Sequence, residues 1–119
     1  MKKRIMIIED EPDVAETLKL LLQSNGYEAE YYLNPKQAIK EVNKYDLILL
    51  DIMMPIMSGR EVLAEFKKMK LKKPVIVVTA AGMPMEIERE LCAKYMEVRV
   101  IPKTSMHTDL IKEIKKRIG

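Results

Sequence analysis

The chain has 119 residues, enough for one domain with a core of its own. With 48% hydrophobic and 33% charged residues it has the balance of a globular protein, which excludes disordered and fibrous classes. A single cysteine, Cys92, rules out an internal disulfide, and a formal charge of +3 is too mild to argue for a nucleic-acid binder.

The first apolar run, "RIMII" (Arg4–Ile8), is predicted as a strand and is too short for a signal-peptide core. "PDVAETLKLLLQSNG" follows as a helix, with Val14, Leu18, Leu21 and Leu22 on one face, Pro12 in the first turn and Gly26 as the stop. "EAEYY" (Glu28–Tyr32) alternates as a half-exposed strand. Asn34 and Pro35 cap and open a second helix that turns Ala38, Ile39 and Val42 inward. "DLILL" (Asp46–Leu50) is the third strand. Ser58 and Glu61 have capping-box spacing and open a helix carrying Val62, Leu63 and Phe66. "PVIVV" (Pro74–Val78) is the most β-branched run, so the fourth strand is expected to be buried on both faces. Pro84 opens a fourth helix with Ile87, Leu91 and Tyr95 aligned. "VRVI" (Val98–Ile101) is the fifth strand, and Leu110, Ile111, Ile114 and Ile118 mark the last helix.

Five strands alternating with five helices imply an α/β fold: a parallel sheet between two helical layers, with right-handed crossovers. The flavodoxin-like (βα)5 order 2-1-3-4-5 puts the weakly apolar second strand at one edge and Pro102, which lacks a donor, near the other. No segment reaches the length of a membrane span, so a cytoplasmic location without membrane partners is expected. The basic runs "KKMKLKK" (67–73) and "KEIKKR" (112–117) fall at or just after amphipathic helices, where lysines form the wet face; no nucleic-acid partner is expected.

In this order, ligands bind where the winding reverses, beyond strands one and three. Strand one is followed by Glu9 and Asp10, strand three by Asp51. On strands about 4.8 Å apart these carboxylates converge. Two full charges ~5 Å apart repel by roughly 3 kcal/mol at an effective dielectric of about 20. A hard divalent cation reverses that sign, and Mg2+ takes one or two carboxylates together with waters and phosphate oxygens. Thr79 and Lys103 follow strands four and five at the same rim. A hydroxyl, an ammonium and a metal facing one carboxylate form a cage for a transferred phosphoryl group, with Asp51 as nucleophile. Taken singly, Asp10 or Glu11 reads as a helix cap, Thr79 as a loop hydroxyl and Lys103 as a solvated charge; only their joint placement points to phosphoryl transfer.

Over its whole length the chain resembles the receiver domain of two-component response regulators. The resemblance is carried by "IIEDEP" after strand one, "LLDIMMPIMSG" around Asp51, "VVTAAG" after strand four and "IPK" after strand five. It implies that Asp51 accepts a phosphoryl group from a phosphohistidine on a sensor histidine kinase or phosphotransfer protein. Asp10 would be the direct Mg2+ ligand, Glu9 would act through water, and Met53 would offer its backbone carbonyl; Mn2+ would substitute. Thr79 resembles the switch hydroxyl and Lys103 the charge partner of the phosphoryl oxygens. The family then alters a face made by the fourth helix, fifth strand and fifth helix, which changes affinity for a downstream protein target. One receiver domain over residues 1–119 without an output domain is expected, a stand-alone member as in chemotaxis or phosphorelays. It would be a monomer or a phosphorylation-dependent dimer, and a phosphoryl carrier that assists its own phosphorylation and dephosphorylation rather than an enzyme.

Two positions depart from the family. Val100 stands where an aromatic residue is usual, so the relay from threonine to a ring is not expected in its usual form. Thr104 follows Lys103 where the family has proline. Two rivals fit less well. An aspartyl-phosphate phosphatase resembles D-x-D, and its second acid is Met53 here. A nucleotide or flavin module needs a phosphate-binding loop after strand one, where "EDEPD" would repel phosphate. A receiver that docks without phosphorylation stays open because of Val100. His107 is expected at the surface and Cys92 as a packed side chain, while Met53, Met54, Met57, Met83 and Met85 are expected to form an adaptable apolar rim.

Overall fold

Strands and helices alternate strictly along the chain: β1 (Arg4–Ile8), α1 (Pro12–Ser24), β2 (Glu28–Tyr32), α2 (Pro35–Glu41), β3 (Leu47–Asp51), α3 (Gly59–Lys68), β4 (Val75–Thr79), α4 (Pro84–Lys94), β5 (Val98–Pro102) and α5 (Met106–Ile118). Short 3-10 turns cover Val42–Lys44 and Lys103–Ser105. The computed structural model describes all 119 residues, Met1 to Gly119.

All strand pairs are parallel, and the order is β2-β1-β3-β4-β5, as the sequence predicts. The two-residue side-chain period splits each strand between two cores. Met6, Ile8, Ile48, Leu50, Val75 and Val77 face one layer with Val62, Leu63, Phe66 and Leu91. Ile5, Ile7, Leu47, Leu49, Ile76 and Val78 face the other, with Leu18, Leu22, Leu110 and Ile114. β3 and β4 are buried at every position, which explains their continuous apolar runs. Each large side chain removed from water in this way stabilises the fold by about 1.5–3 kcal/mol before entropy is counted.

Local signals set the element ends. Asn34 accepts from Lys36 N at 3.0 Å, and Ser58 accepts from Glu61 N at 3.2 Å. Glu61 completes only half a capping box, because its carboxylate takes the Ser58 hydroxyl at 3.4 Å rather than the Ser58 amide. Glu11 is the N-cap of α1 but makes no side-chain cap bond, so Asp10 and Glu11 are not spent on capping.

Three boundaries differ from the sequence reading. β3 begins and ends one residue later, so Asp51 is the last strand residue; β4 includes Thr79, and β5 includes Pro102. Each of these residues is still paired laterally, Asp51 with Val78 and Thr79 with Pro102, because the ladder extends until its neighbours end. Tyr95 lies just past the end of α4, leaving Leu91 as that helix's only buried residue.

Candidate functional site

The carboxyl ends of β1, β3, β4 and β5 place the polar residues of the sequence reading at one rim. Ile8 pairs with Leu50, so Glu9 and Asp51 are the next residues on adjacent chains. Glu9 N donates to Tyr32 O at 3.2 Å and carries the ladder one residue beyond β1. Glu9 is 1% exposed, Asp51 6% and Thr79 0%; Asp10 is half-buried. Glu9, Asp10 and Asp51 each present an oxygen within 4.8 Å of the others. Three carboxylates this close suit a hard cation with oxygen ligands.

Hydrogen bonds fix the set. Asp51 Oδ1 accepts from Met53 N at 3.3 Å, and Glu9 Oε2 accepts from Asp10 N at 3.1 Å. Thr79 Oγ1 accepts from Ala81 N at 3.0 Å. The Lys103 ammonium donates to Glu9 Oε1 at 2.7 Å and stands 3.7 Å from Asp51 Oδ2. Its nearest partner is therefore Glu9, not Asp51 alone. The physical reason is burial: a carboxyl oxygen sealed from water needs a donor, and Glu9 is the more enclosed of the two acids. The cavity beneath the carboxylates, lined by Ile7, Ile8, Leu18, Leu49, Leu50 and Val78 among others, has a volume of about 10 Å³. That is room for one water and for no organic cofactor.

Burial, and then the adjoining Asp51 carboxylate, push the Glu9 pKa up to about 8, against the pull of Lys103. Lys103 is itself raised: burial disfavours its charge, but the Glu9 hydrogen bond and the charges of Asp51 and Glu9 outweigh it. Between an unfolded carboxylate's value of about 4.5 and about 8, the folded protein thus binds a proton that the unfolded chain lacks. The stability from Glu9 is full below that window and is lost as pH rises through it. The expected result is a metal-free melting temperature that falls from about pH 5 to about pH 8 and is restored near pH 8 by millimolar Mg2+, read by circular dichroism. A flat profile would show that Glu9 titrates as it does in the unfolded chain.

Two residues contribute that the sequence reading left without a role. A Cβ on Gly59 would lie 2.6 Å from Asp51 O and 2.6 Å from Ile52 Cα, so only glycine lets α3 start against the end of β3. The signal was a glycine one place inside a helix, where propensity argues against it. Arg60 follows and forks onto Glu90 of α4 at 2.7 and 2.8 Å.

Some surface expectations need correcting. Met53, Met83 and Met85 are exposed, but Met54 is 8% exposed and packs into the core. The strand's alternation continues past Asp51, sending Ile52 and Met54 inward and Met53 outward. Cys92 is exposed rather than packed, because it sits one residue round the helix from Leu91, beside the edge of β5. His107 is at the surface, as expected. No helix is long and apolar enough to cross a membrane.

Residues 5–115 match the family described as the response regulator receiver domain. The transcriptional regulatory protein CpxR homolog of Haemophilus influenzae is 33% identical over 113 residues, covering 94% of this chain and 48% of that protein. The chain spans about half the length of that relative and about a third of several others. Among solved structures, the response regulator TrrA of Thermotoga maritima in complex with Mg2+–BeF is 34% identical, with a TM-score of 0.80, over 99% of this chain and 100% of that one. TrrA in complex with the histidine kinase ThkA is 35% identical, with a TM-score of 0.80, over the full length of both chains.

Proposed function

The chain belongs to the response regulator receiver family, and from that premise we propose that Asp51 is its phosphoacceptor, loaded with the help of Mg2+ from a phosphohistidine on a sensor kinase or phosphotransfer protein. The observation that carries this reading is the convergence of Glu9, Asp10 and Asp51 oxygens within 4.8 Å beside the Lys103 ammonium. Asp10, Asp51 and the Met53 carbonyl would hold the ion, with Glu9 behind them because it already engages Lys103. When bound, Mg2+ supplies charge that offsets the carboxylates and the incoming phosphoryl oxygens.

The remaining chemistry belongs to the chain. An Asp51 oxygen attacks phosphorus, the N–P bond of the donor breaks, and the imidazole leaves with a proton from water. The Met53 amide, which donates to Asp51 Oδ1, holds the other carboxylate oxygen out of the way. Lys103 stands 3.7 Å from Asp51 Oδ2, near enough to turn from Glu9 to a phosphoryl oxygen. Thr79 offers a second donor from a fully buried position. Met53 stands where a phosphatase would carry its second acid, so this is a phosphoryl carrier that assists its own loading and unloading, not a turnover catalyst.

The TrrA–ThkA complex supports a kinase as donor, and the Mg2+–BeF complex of TrrA supports Mg2+ as the ion. The receiver unit itself would bind proteins rather than nucleic acid. In its basic runs, Lys67 donates to Lys94 O at 3.0 Å, Lys73 to Asn43 O at 2.8 Å, and Arg117 pairs with Glu113, so these cations are used internally. The test is incubation with acetyl phosphate and Mg2+, read by intact mass. One phosphoryl adduct is expected, with none when a chelator is present; an unmodified mass would overturn the reading.

A further inference from the structure

Tyr27 carries the one buried side-chain oxygen in the chain that has no hydrogen-bond partner. A tight turn places it there. Gly26, at φ 90°, ends α1 with its N–H on Gln23 O at 3.1 Å, and Tyr27 N donates to Leu22 O at 3.1 Å. Tyr27 and Ala29 then fall on the same side of the chain that becomes β2, both in the core shared with Leu18, Leu22 and Ile114. The residue is 5% exposed. Phenylalanine would fill that place without a polar atom to satisfy, whereas an unanswered buried hydroxyl opposes folding. Burial holds the phenol's pKa above its ordinary value, so the hydroxyl keeps its proton and is a donor that lacks an acceptor.

Tyr27 lines a cavity of about 470 Å³ between the C-terminal ends of α1 and α5. All strands are parallel, so Lys3 and Tyr27, just before β1 and β2, share the end of the sheet away from Asp51. Lys2, Lys3 and Lys115 line the cavity with Asn25 and Gly26, and no acidic side chain does. Met1 and Gly119 complete it with one terminal charge of each sign. None of the three ammoniums has an ion-pair partner, although cations at the neighbouring edge do: Arg4 lies 3.5 Å from Glu28 Oε2, and Lys19 lies 3.7 Å from Glu30 Oε2. The dipole of α5 does not account for them. Lys116 and Arg117 already stand in its last turn, and Lys2 and Lys3 come from the chain before β1. That chain is held at Lys3, whose carbonyl accepts from Glu28 N at 3.0 Å, so Met1 and Lys2 are free to yield to a ligand that reaches the Tyr27 hydroxyl.

We propose that this cavity binds the triphosphate group of a small molecule, with Lys2, Lys3 and Lys115 answering its charge and the Tyr27 hydroxyl donating to one of its oxygens. A triphosphate concentrates several negative charges on one short chain, which a carboxylate does not, and lysine binds phosphate as a point charge. The volume falls within the range of about 300–1,000 Å³ usual for small-ligand sites. The site is independent of the phosphoacceptor: it lies at the far end of the sheet, and without a metal Glu9, Asp10 and Asp51 repel such an anion.

The experiment is calorimetric titration of the full chain with inorganic tripolyphosphate and, separately, with ATP, a chelator being present so that no metal bridges a phosphate to the Asp51 rim. One tripolyphosphate is expected to bind per chain. ATP binding more tightly would assign the site to a nucleotide, and ATP binding equally or more weakly would assign it to free polyphosphate; the site stands in both cases. Tyr27→Phe is expected to bind about tenfold more weakly and, without ligand, to melt at a higher temperature than wild type. A purely structural tyrosine would not give that pair of changes. Lys115→Gln is expected to lose about tenfold, whereas Lys112→Gln, which removes the same charge from α5 outside the cavity, should stay within about twofold of wild type. A wild type that does not bind tripolyphosphate, a Tyr27→Phe protein that binds as tightly as wild type, or equal losses in Lys112→Gln and Lys115→Gln would overturn the proposal.

Discussion

Asp51→Asn is expected to abolish the phosphoryl adduct and, at the same time, to make the metal-free protein more stable near pH 8. The first effect follows from chemistry: an amide oxygen is too poor a nucleophile to form the acyl phosphate, and Glu9, the other carboxylate that holds Lys103 and a backbone amide, is sealed from water at 1% exposure. The second follows from charge. Near pH 8 the resting site begins to carry Glu9, Asp10 and Asp51 ionised against one ammonium. Removing Asp51 relieves two like-charge contacts of about 3 kcal/mol each and loses one attraction to Lys103 of about 4.5 kcal/mol, at an effective dielectric of about 20. The net gain is about 1 kcal/mol after screening. Near pH 6 Glu9 still holds its proton, one repulsion is missing, and the same sum makes Asp51→Asn the less stable protein by about 1 kcal/mol. Intact mass after acetyl phosphate treatment and urea melts at the two pH values check both halves. A persistent adduct would move the acceptor elsewhere, and a less stable variant at pH 8 would mean that the acids do not strain the resting fold.

The convergence of acids on which that expectation rests was largely readable in the sequence. A charge closing a fully apolar strand has few structural uses, and Glu9, Asp10 and Asp51 fall at the ends of strands that the order 2-1-3-4-5 makes neighbours. The order itself followed from the polar alternation of "EAEYY" at one edge and from Pro102, which lacks a donor, at the other. What could not be read was the choice among partners in space. Lys103 chooses Glu9 over Asp51 because of relative burial, and burial at the end of a strand depends on what packs over it. Cys92 was expected to be packed because its residue type usually is, yet its place on the helix turns it to the rim of β5. Met54 was grouped with its loop neighbours because nothing local says that strand alternation continues past Asp51. The ties on α4 join residues thirty apart in sequence, Arg60 to Glu90, which no periodicity reports.

Gly59→Ala is expected to cost about 3 kcal/mol of stability and to slow phosphoryl transfer to Asp51 by about a hundredfold. Helix propensity predicts the opposite sign, since alanine is favoured over glycine inside a helix by about 1 kcal/mol. Gly59 does not adopt a left-handed conformation, so no backbone preference stands in the way of alanine either. What opposes the change is distance. The added Cβ would lie 2.6 Å from Asp51 O and from Ile52 Cα, both main-chain atoms that no side-chain rotation can move. Gly59 N also donates to Ile52 O at 2.9 Å, so the helix start and the strand end are tied and must part together. Either α3 backs away from Val62, Leu63 and Phe66's core, or Asp51 leaves its position beside Lys103 and the other acids. Gly82→Ala is the control: nothing lies within 4 Å of its Cβ position, and it should change stability by less than about 0.5 kcal/mol. Urea denaturation and the rate of adduct formation, measured on both variants, separate propensity from close approach. A Gly59→Ala protein as stable and as quickly phosphorylated as wild type would mean that α3 can yield without moving Asp51, and the acceptor's position would then be set by β3 and its neighbours alone.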